Sequence, residues 1–132
     1  MVELEGPVKE MTRRQLIDLC LMLPDAFEDY PFEEDSWTVL RHRSNRKWFA
    51  LVYEREGKLF INLKCEPMQA DFLRSAFEGV TPAYHMNKTH WNAVCPDSDV
   101  PLSELQRMIR MSYDLTAQKI VSKRKNRKGE SL

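Results

Sequence analysis

His85 and His90 stand five residues apart in the stretch PAYHMNKTHWNAV (82–94), with Tyr84, Met86, Asn87, Lys88 and Trp91 around them. Imidazoles at this density suggest a metal site or a general base. A five-residue separation does not place both rings on one helix face, and across a turn zinc would need a third ligand. Cys95, Asp97 and Asp99 follow, but none sits at a recognisable zinc spacing. The alternative is a turn in which one histidine hydrogen-bonds the backbone while Tyr84 and Trp91 pack beneath it.

A histidine acting as general base would need a nucleophile or an activated water, and a cradle for an oxyanion or phosphate. The chain has four glycines, Gly6, Gly57, Gly79 and Gly129, and each suits a terminus, a hairpin turn, a helix end or the tail. Neither a Walker-type loop nor a dinucleotide fingerprint can be built from them, and there is no Gly-x-Ser-x-Gly elbow. The expectation is therefore no catalytic residue, no metal and no cofactor, nucleotide cofactors included. A histidine-dependent enzyme stays as an alternative.

A second cluster, RHRSNRK (41–47), crowds Arg41, Arg43, Arg46 and Lys47 at the tip of a predicted hairpin. Basic hairpin tips fit DNA grooves. Four phosphate contacts would give a salt slope of about −3.6, a loss on the order of a hundredfold in affinity between 50 and 200 mM salt. Base reading would need further donors and acceptors, which Asn87, Lys88, His90 and Asn92 could supply. The competing reading pairs these arginines with the acidic stretch 28–35.

The elements that position these residues follow from pattern. Thr12 and Gln15 fit a capping box, and Leu16, Leu19, Cys20 and Leu23 keep the spacing of one buried helix face until Pro24. DAFEDYPFEED, with six acids and a proline, reads as a surface segment with Phe27, Tyr30 or Phe32 tucked inward. WTVLRHR and KWFALVYE read as a hairpin joined by RSNR, the second strand apolar on both alternating faces, with Trp48, Ala50 and Val52 against Phe49, Leu51 and Tyr53. After a turn at Glu56 and Gly57, KLFINLKC alternates Leu59, Ile61, Leu63 and Cys65 inward with Lys58, Asn62 and Lys64 outward. Pro67 and Gly79 bracket a second helix carrying Phe72, Leu73, Ala76 and Phe77 to the core. HWNAVC predicts a strand with Trp91, Ala93 and Cys95 against His90, Asn92 and Val94. Leu102, Leu105, Ile109 and Tyr113 define a long last helix running toward Ile120.

This order predicts an α+β domain over 11–121 with a mainly antiparallel sheet and helices packed on one face. Residues 1–10 form an N-terminal extension and 122–132 a basic, disordered tail. The other sheet face is expected to be partly open, with Lys58, Asn62, Lys64, His90 and Asn92 sharing a polar surface if their strands lie close.

The 132 residues, 42% hydrophobic and 30% charged, suit one globular core. Zero net charge hides an asymmetry: residues 1–118 carry 14 basic against 19 acidic side chains, and residues 119–132 carry 6 against 1. Affinity for nucleic acid must then come from local basic clusters, the tail Lys123, Arg124, Lys125, Arg127 and Lys128 being one candidate. Cys20, Cys65 and Cys95 are odd in number and far apart, which suggests buried thiols in a reducing compartment rather than disulfides. No apolar run approaches the ~20 residues that span a bilayer, and the acidic N-terminus lacks a signal segment, so a cytoplasmic protein without membrane contact is expected.

YPF near position 31, KWFALVYE, NLKCEP and above all TPAYHMNKTHWNAV, followed by MSYDL in the last helix, resemble the MmcQ/YjbR family of small bacterial proteins over roughly residues 11–120. Tyr84, His85, Met86, Asn87, Lys88, His90 and Trp91 carry the most specific part of that resemblance. It implies an α+β fold with a double-wing DNA-binding motif, two β-hairpins projecting from the domain. The resulting expectation is a non-catalytic DNA-binding protein that contacts phosphates through Arg41, Arg43, Arg46, Lys47, Lys58 and Lys64. The alternative partner is another protein or a second copy, docked on the open sheet face that carries Phe60 and Val94.

Overall fold

A computed structural model describes residues 10–33, 37–84 and 86–117. The elements run α1 (Arg13–Leu21), β1 (Ala26–Asp29), β2 (Thr38–His42), β3 (Trp48–Arg55), β4 (Lys58–Lys64), α2 (Pro67–Ala76), β5 (Val80–Pro82), β6 (Trp91–Val94) and α3 (Leu102–Thr116). The six strands form one antiparallel sheet in the order β1-β2-β3-β4-β6-β5. The helices pack on one of its faces, so the fold is α+β as the pattern predicts.

Thr12 caps α1 as the sequence indicates: its hydroxyl accepts from the Gln15 N–H at 3.1 Å, and the Gln15 side chain accepts from the Thr12 N–H at 2.9 Å. Such a cap contributes about 1 kcal/mol. Leu16, Ile17 and Cys20 are then buried against the sheet. The acidic segment that follows departs from expectation. Ala26–Asp29 is a fourth neighbour in the hairpin ladder, an edge strand paired to β2 with Phe27 opposite Arg41. Tyr30 and Phe32 beyond it are exposed.

The pairing of β2 with β3 slips between Leu40 and Arg41, so that Leu40 faces Ala50 while Arg41 faces Trp48. Phe49 is the extra residue of a β-bulge. Phe49, Ala50 and Val52 therefore enter the helix-side core together, and Leu51 and Tyr53 belong to a second cluster on the outer face with Trp48. This replaces the strict alternation expected of β3. Where the bulge interrupts the ladder, Ser112 of α3 substitutes for it: its Oγ donates to the Phe49 carbonyl at 2.6 Å and accepts from the Lys64 N–H at 2.8 Å.

In β4, Ile61, Leu63 and the following Cys65 join the core as predicted, but Asn62 on the outer face is fully buried rather than solvent-facing. In α2, Ala70 and Leu73 are the buried residues, whereas Phe72 is 62% exposed and Ala76 also faces solvent. The apolar stripe is rotated from the predicted one. Gly79 is a close approach, since a Cβ there would run into the Ser98 side chain. β6 lies between β4 and β5, and Val94, opposite both Ile61 and Val80, sits in the helix-side core. Val94 is therefore not on the outer face. All three cysteines are free and buried. Among the described residues no helix is long and apolar enough to cross a membrane.

Candidate nucleic-acid interface

The turn between β2 and β3 is fixed from three sides. Arg46 N–H donates to the His42 carbonyl at 2.8 Å and His42 N–H to the Lys47 carbonyl at 3.1 Å. Asp25 accepts from the Arg43 N–H through its carbonyl and from the Ser44 N–H through its carboxylate, at 2.7 and 2.9 Å. Asn45 Nδ2 reaches the Thr116 carbonyl at the end of α3 at 2.9 Å. Arg46 adopts a left-handed conformation, φ 63°, which turns the chain back on itself.

On this scaffold the basic residues divide. Arg41 Nε donates to Asp29 Oδ2 at 2.7 Å, its Nη1 donates to the Arg46 carbonyl, and its guanidinium lies over Trp48. Its charge is neutralised, as the pairing with the acidic stretch suggested. Arg43 and Arg46 are exposed and both lie over the Phe27 ring, 5.0 and 5.5 Å from its centroid. With exposed Lys47 they form a group that pairs with no carboxylate among the described residues.

The residues of the loop before β6 mostly hold that loop together. Asn87 Oδ1 accepts from the N–H groups of Thr89 and His90, and its carbonyl accepts from His90 and Trp91. Lys88 Nζ donates to the Ala83 carbonyl at 3.0 Å. Arg74 of α2, which nothing in the sequence singled out, clamps the loop from below: Nε donates to Asn92 Oδ1 at 2.7 Å, and Nη2 donates to the carbonyls of Lys88 and Trp91. The side chains that hold this loop are thus Asn87, Lys88 and Arg74. Among the described residues no three His, Cys, Asp or Glu side chains are grouped to hold a metal. His85 lies outside the described residues, as do 34–36 and the basic tail from 118.

The polar surface expected of Lys58, Asn62, Lys64, His90 and Asn92 is not assembled. Asn62 and Asn92 are both buried and on opposite faces. Asn62 bonds Tyr53 Oη and the Tyr84 carbonyl; Asn92 points to α2, bonding Arg74 and the Ala70 carbonyl. Asn92 is thus no base reader at the surface. Lys58 pairs with Arg55 at the far end of the hairpin from Lys64, which pairs with Trp91. Lys64 and exposed His90 do share the sheet end from which the β2–β3 turn projects.

The outer face carries an aromatic cluster instead. Trp37 stacks on Tyr53 at 5.0 Å and 13°, and Tyr53 on Phe60 at 5.7 Å and 20°. Phe32 meets Trp37 and Trp48 edge-on, and Tyr84 tilts toward Tyr53 at 6.5 Å. Arg55 lies 4.3 Å from the Tyr84 centroid and 5.8 Å from that of Phe60. Tyr53 is buried, and desolvation pushes its hydroxyl up to about 12, so it stays a hydrogen-bond donor to Asn62 Oδ1 at 2.9 Å.

Burial shifts the titration of several groups. Burial raises all three thiols, Cys20 to about 12, which disfavours a reactive thiolate. His42, a residue that the sequence reading passed over, is buried with Nε2 2.8 Å from Thr116 Oγ1 and its ring against Phe49 and Tyr113. Its burial lowers its proton affinity. A groove between the end of α1 and α3 is lined by Leu19, Met22, Leu23, Gln106, Ile109 and Arg110, a set without a nucleophile or an acid.

The family model described as YjbR matches residues 21–115. An uncharacterized Bacillus subtilis protein, YyaQ, is 35% identical over 67% of this chain and 83% of its own length. The uncharacterized Escherichia coli protein YjbR is 30% identical over 78% of this chain and 85% of its own. Among solved structures, a Pseudomonas syringae protein superposes with a TM-score of 0.73 at 33% identity, covering 81% of this chain and all of that one. A Deinococcus radiodurans protein gives 0.71, also at 33% identity, over 82% and 80% of the two chains.

Proposed function

This chain belongs to the YjbR family, and on that premise we propose that it binds DNA without catalysing a reaction, gripping phosphates with Arg43, Arg46 and Lys47 at the β2–β3 turn. The observation that carries this reading is the exposed Arg43–Phe27–Arg46 arrangement beside Lys47, unpaired with any described carboxylate while neighbouring Arg41 is taken by Asp29. Guanidinium groups held over one ring lose less freedom on meeting a phosphate than free side chains do, and arginine presents the fork that phosphate oxygens match. Lys64 and His90 at the same end of the sheet extend the basic edge; Lys58 lies at the opposite end and is outside it. Asn87 and Lys88, both exposed, hold the adjoining loop.

Three phosphate contacts in place of four give weak, salt-sensitive binding, with a slope of about −2.7. The test is anisotropy of a fluorescent duplex at low salt with wild type and with Arg43, Arg46 and Lys47 all changed to Ala. A loss on the order of tenfold or more supports the turn as the site. Superimposable curves would remove it.

A further inference from the structure

We propose that the outer face of the sheet is a stacking platform for single-stranded nucleic acid, with Tyr84 and Phe32 as the rings that receive bases and Arg55 and Lys64 as phosphate partners. The proposal rests on the nucleic-acid reading above and names the form of nucleic acid that the site takes. Among the described residues no helix packs on this face, and it is tiled with rings. Trp37 and Trp48 lie in the cluster. Trp91 faces the same way, because neighbouring Asn92 points to α2 and side chains alternate along β6.

The rings are set before any ligand arrives. Trp37, Tyr53 and Phe60 stand in one stack, anchored at its buried centre by the Tyr53 hydroxyl bond to Asn62. At two edges of the same chain of ring contacts, Phe32 is 42% and Tyr84 39% exposed. A base is a planar π system that can lengthen such a stack at either end, with little dependence on sequence.

Charge selects the occupant. The Arg55 guanidinium lies over Tyr84 and Phe60, and neither it nor Lys64 pairs with a carboxylate among the described residues. Asp29, a carboxylate beside the cluster, is occupied by Arg41. Rings interleaved with unneutralised cations suit a ligand that is aromatic and polyanionic at once. Duplex DNA keeps its bases stacked inside, so it could use the β2–β3 turn but not these rings. A single strand can use both, since Lys64 lies at the end of the sheet next to that turn.

The experiment titrates fluorescein-labelled dT20 and a 20-base-pair duplex into wild type, Tyr84→Ala, Tyr84→Leu and the Arg43/Arg46/Lys47 triple alanine variant, with circular dichroism confirming each fold. Expected are tighter binding of dT20 than of duplex, quenching of tryptophan fluorescence by dT20, and a loss on the order of tenfold for dT20 in both Tyr84 variants with duplex affinity within about twofold. Equal or better binding of duplex, or unchanged dT20 affinity in both Tyr84 variants, overturns the platform; the turn then stands if the triple variant still loses duplex. Failure of wild type to bind either probe overturns both. Self-association of wild type that Tyr84→Ala abolishes, without oligonucleotide binding, would assign the face to a second copy and also overturn the proposal.

Discussion

Ser112 Oγ donates to the Phe49 carbonyl at 2.6 Å and so seals the β-bulge from the helix side, while the same oxygen accepts the Lys64 N–H that the bulge leaves without a strand partner. One hydroxyl thus satisfies two backbone groups on two strands, and ties α3 to the strands that carry the β2–β3 turn and Lys64. Ser112→Ala would leave both groups unsatisfied in a buried place, at a cost of about 2–4 kcal/mol. Thermal unfolding should fall by on the order of 10 °C, with Ser112→Thr less affected. A drop within about 2 °C would show that water replaces the hydroxyl.

Arg74 should be the main support of the loop before β6. Arg74→Ala removes the bond to buried Asn92 and those to the Lys88 and Trp91 carbonyls, at a cost of about 2–3 kcal/mol. Arg74→Lys should recover little, because an ammonium cannot make the same fork. Hydrogen exchange at the His90 and Trp91 amides, both bonded to the Asn87 carbonyl, should rise in both variants more than in β3. Uniform change across the sheet would contradict this role.

His42 should make stability depend on pH. Its folded-state proton affinity is lowered, first by burial and then by Lys47, with Asp25, Asp114 and the Tyr113 backbone working the other way. The unfolded chain therefore takes up the proton first. The stability contributed by the neutral ring is fully present above about pH 6.5 and is lost as pH falls below that value. Thermal midpoints from pH 7.5 to 5.5 should fall more steeply for wild type than for His42→Gln, which keeps a donor for Thr116 Oγ1. Parallel profiles would mean that His42 does not set this dependence.

The α+β class, the capped first helix and the RSNR hairpin were legible because each is a local signal. Capping boxes, turn residues and β-rich runs act within a few residues. What escaped depends on phase and partners. Alternation gives a strand its period but not which set points inward, and in β6 the large Trp91 suggested the wrong set, leaving Asn92 and Val94 on the surface. A bulge at Phe49 then shifted the faces of β3 without any glycine to mark it. β1 was hidden by its acids, and is a strand because β2 offers it an edge while Arg14 and Arg41 neutralise Glu28 and Asp29. Arg74 and His42 gained their roles from residues far along the chain, which no local pattern reveals.

The most direct test of phosphate gripping at the β2–β3 turn is the slope of log affinity against log salt for DNA, measured from 50 to 200 mM with wild type and with the Arg43/Arg46/Lys47 triple alanine variant. Loss of three phosphate contacts should flatten the slope by about 2.7. Equal slopes for the two proteins would contradict DNA binding through this turn, whatever their absolute affinities.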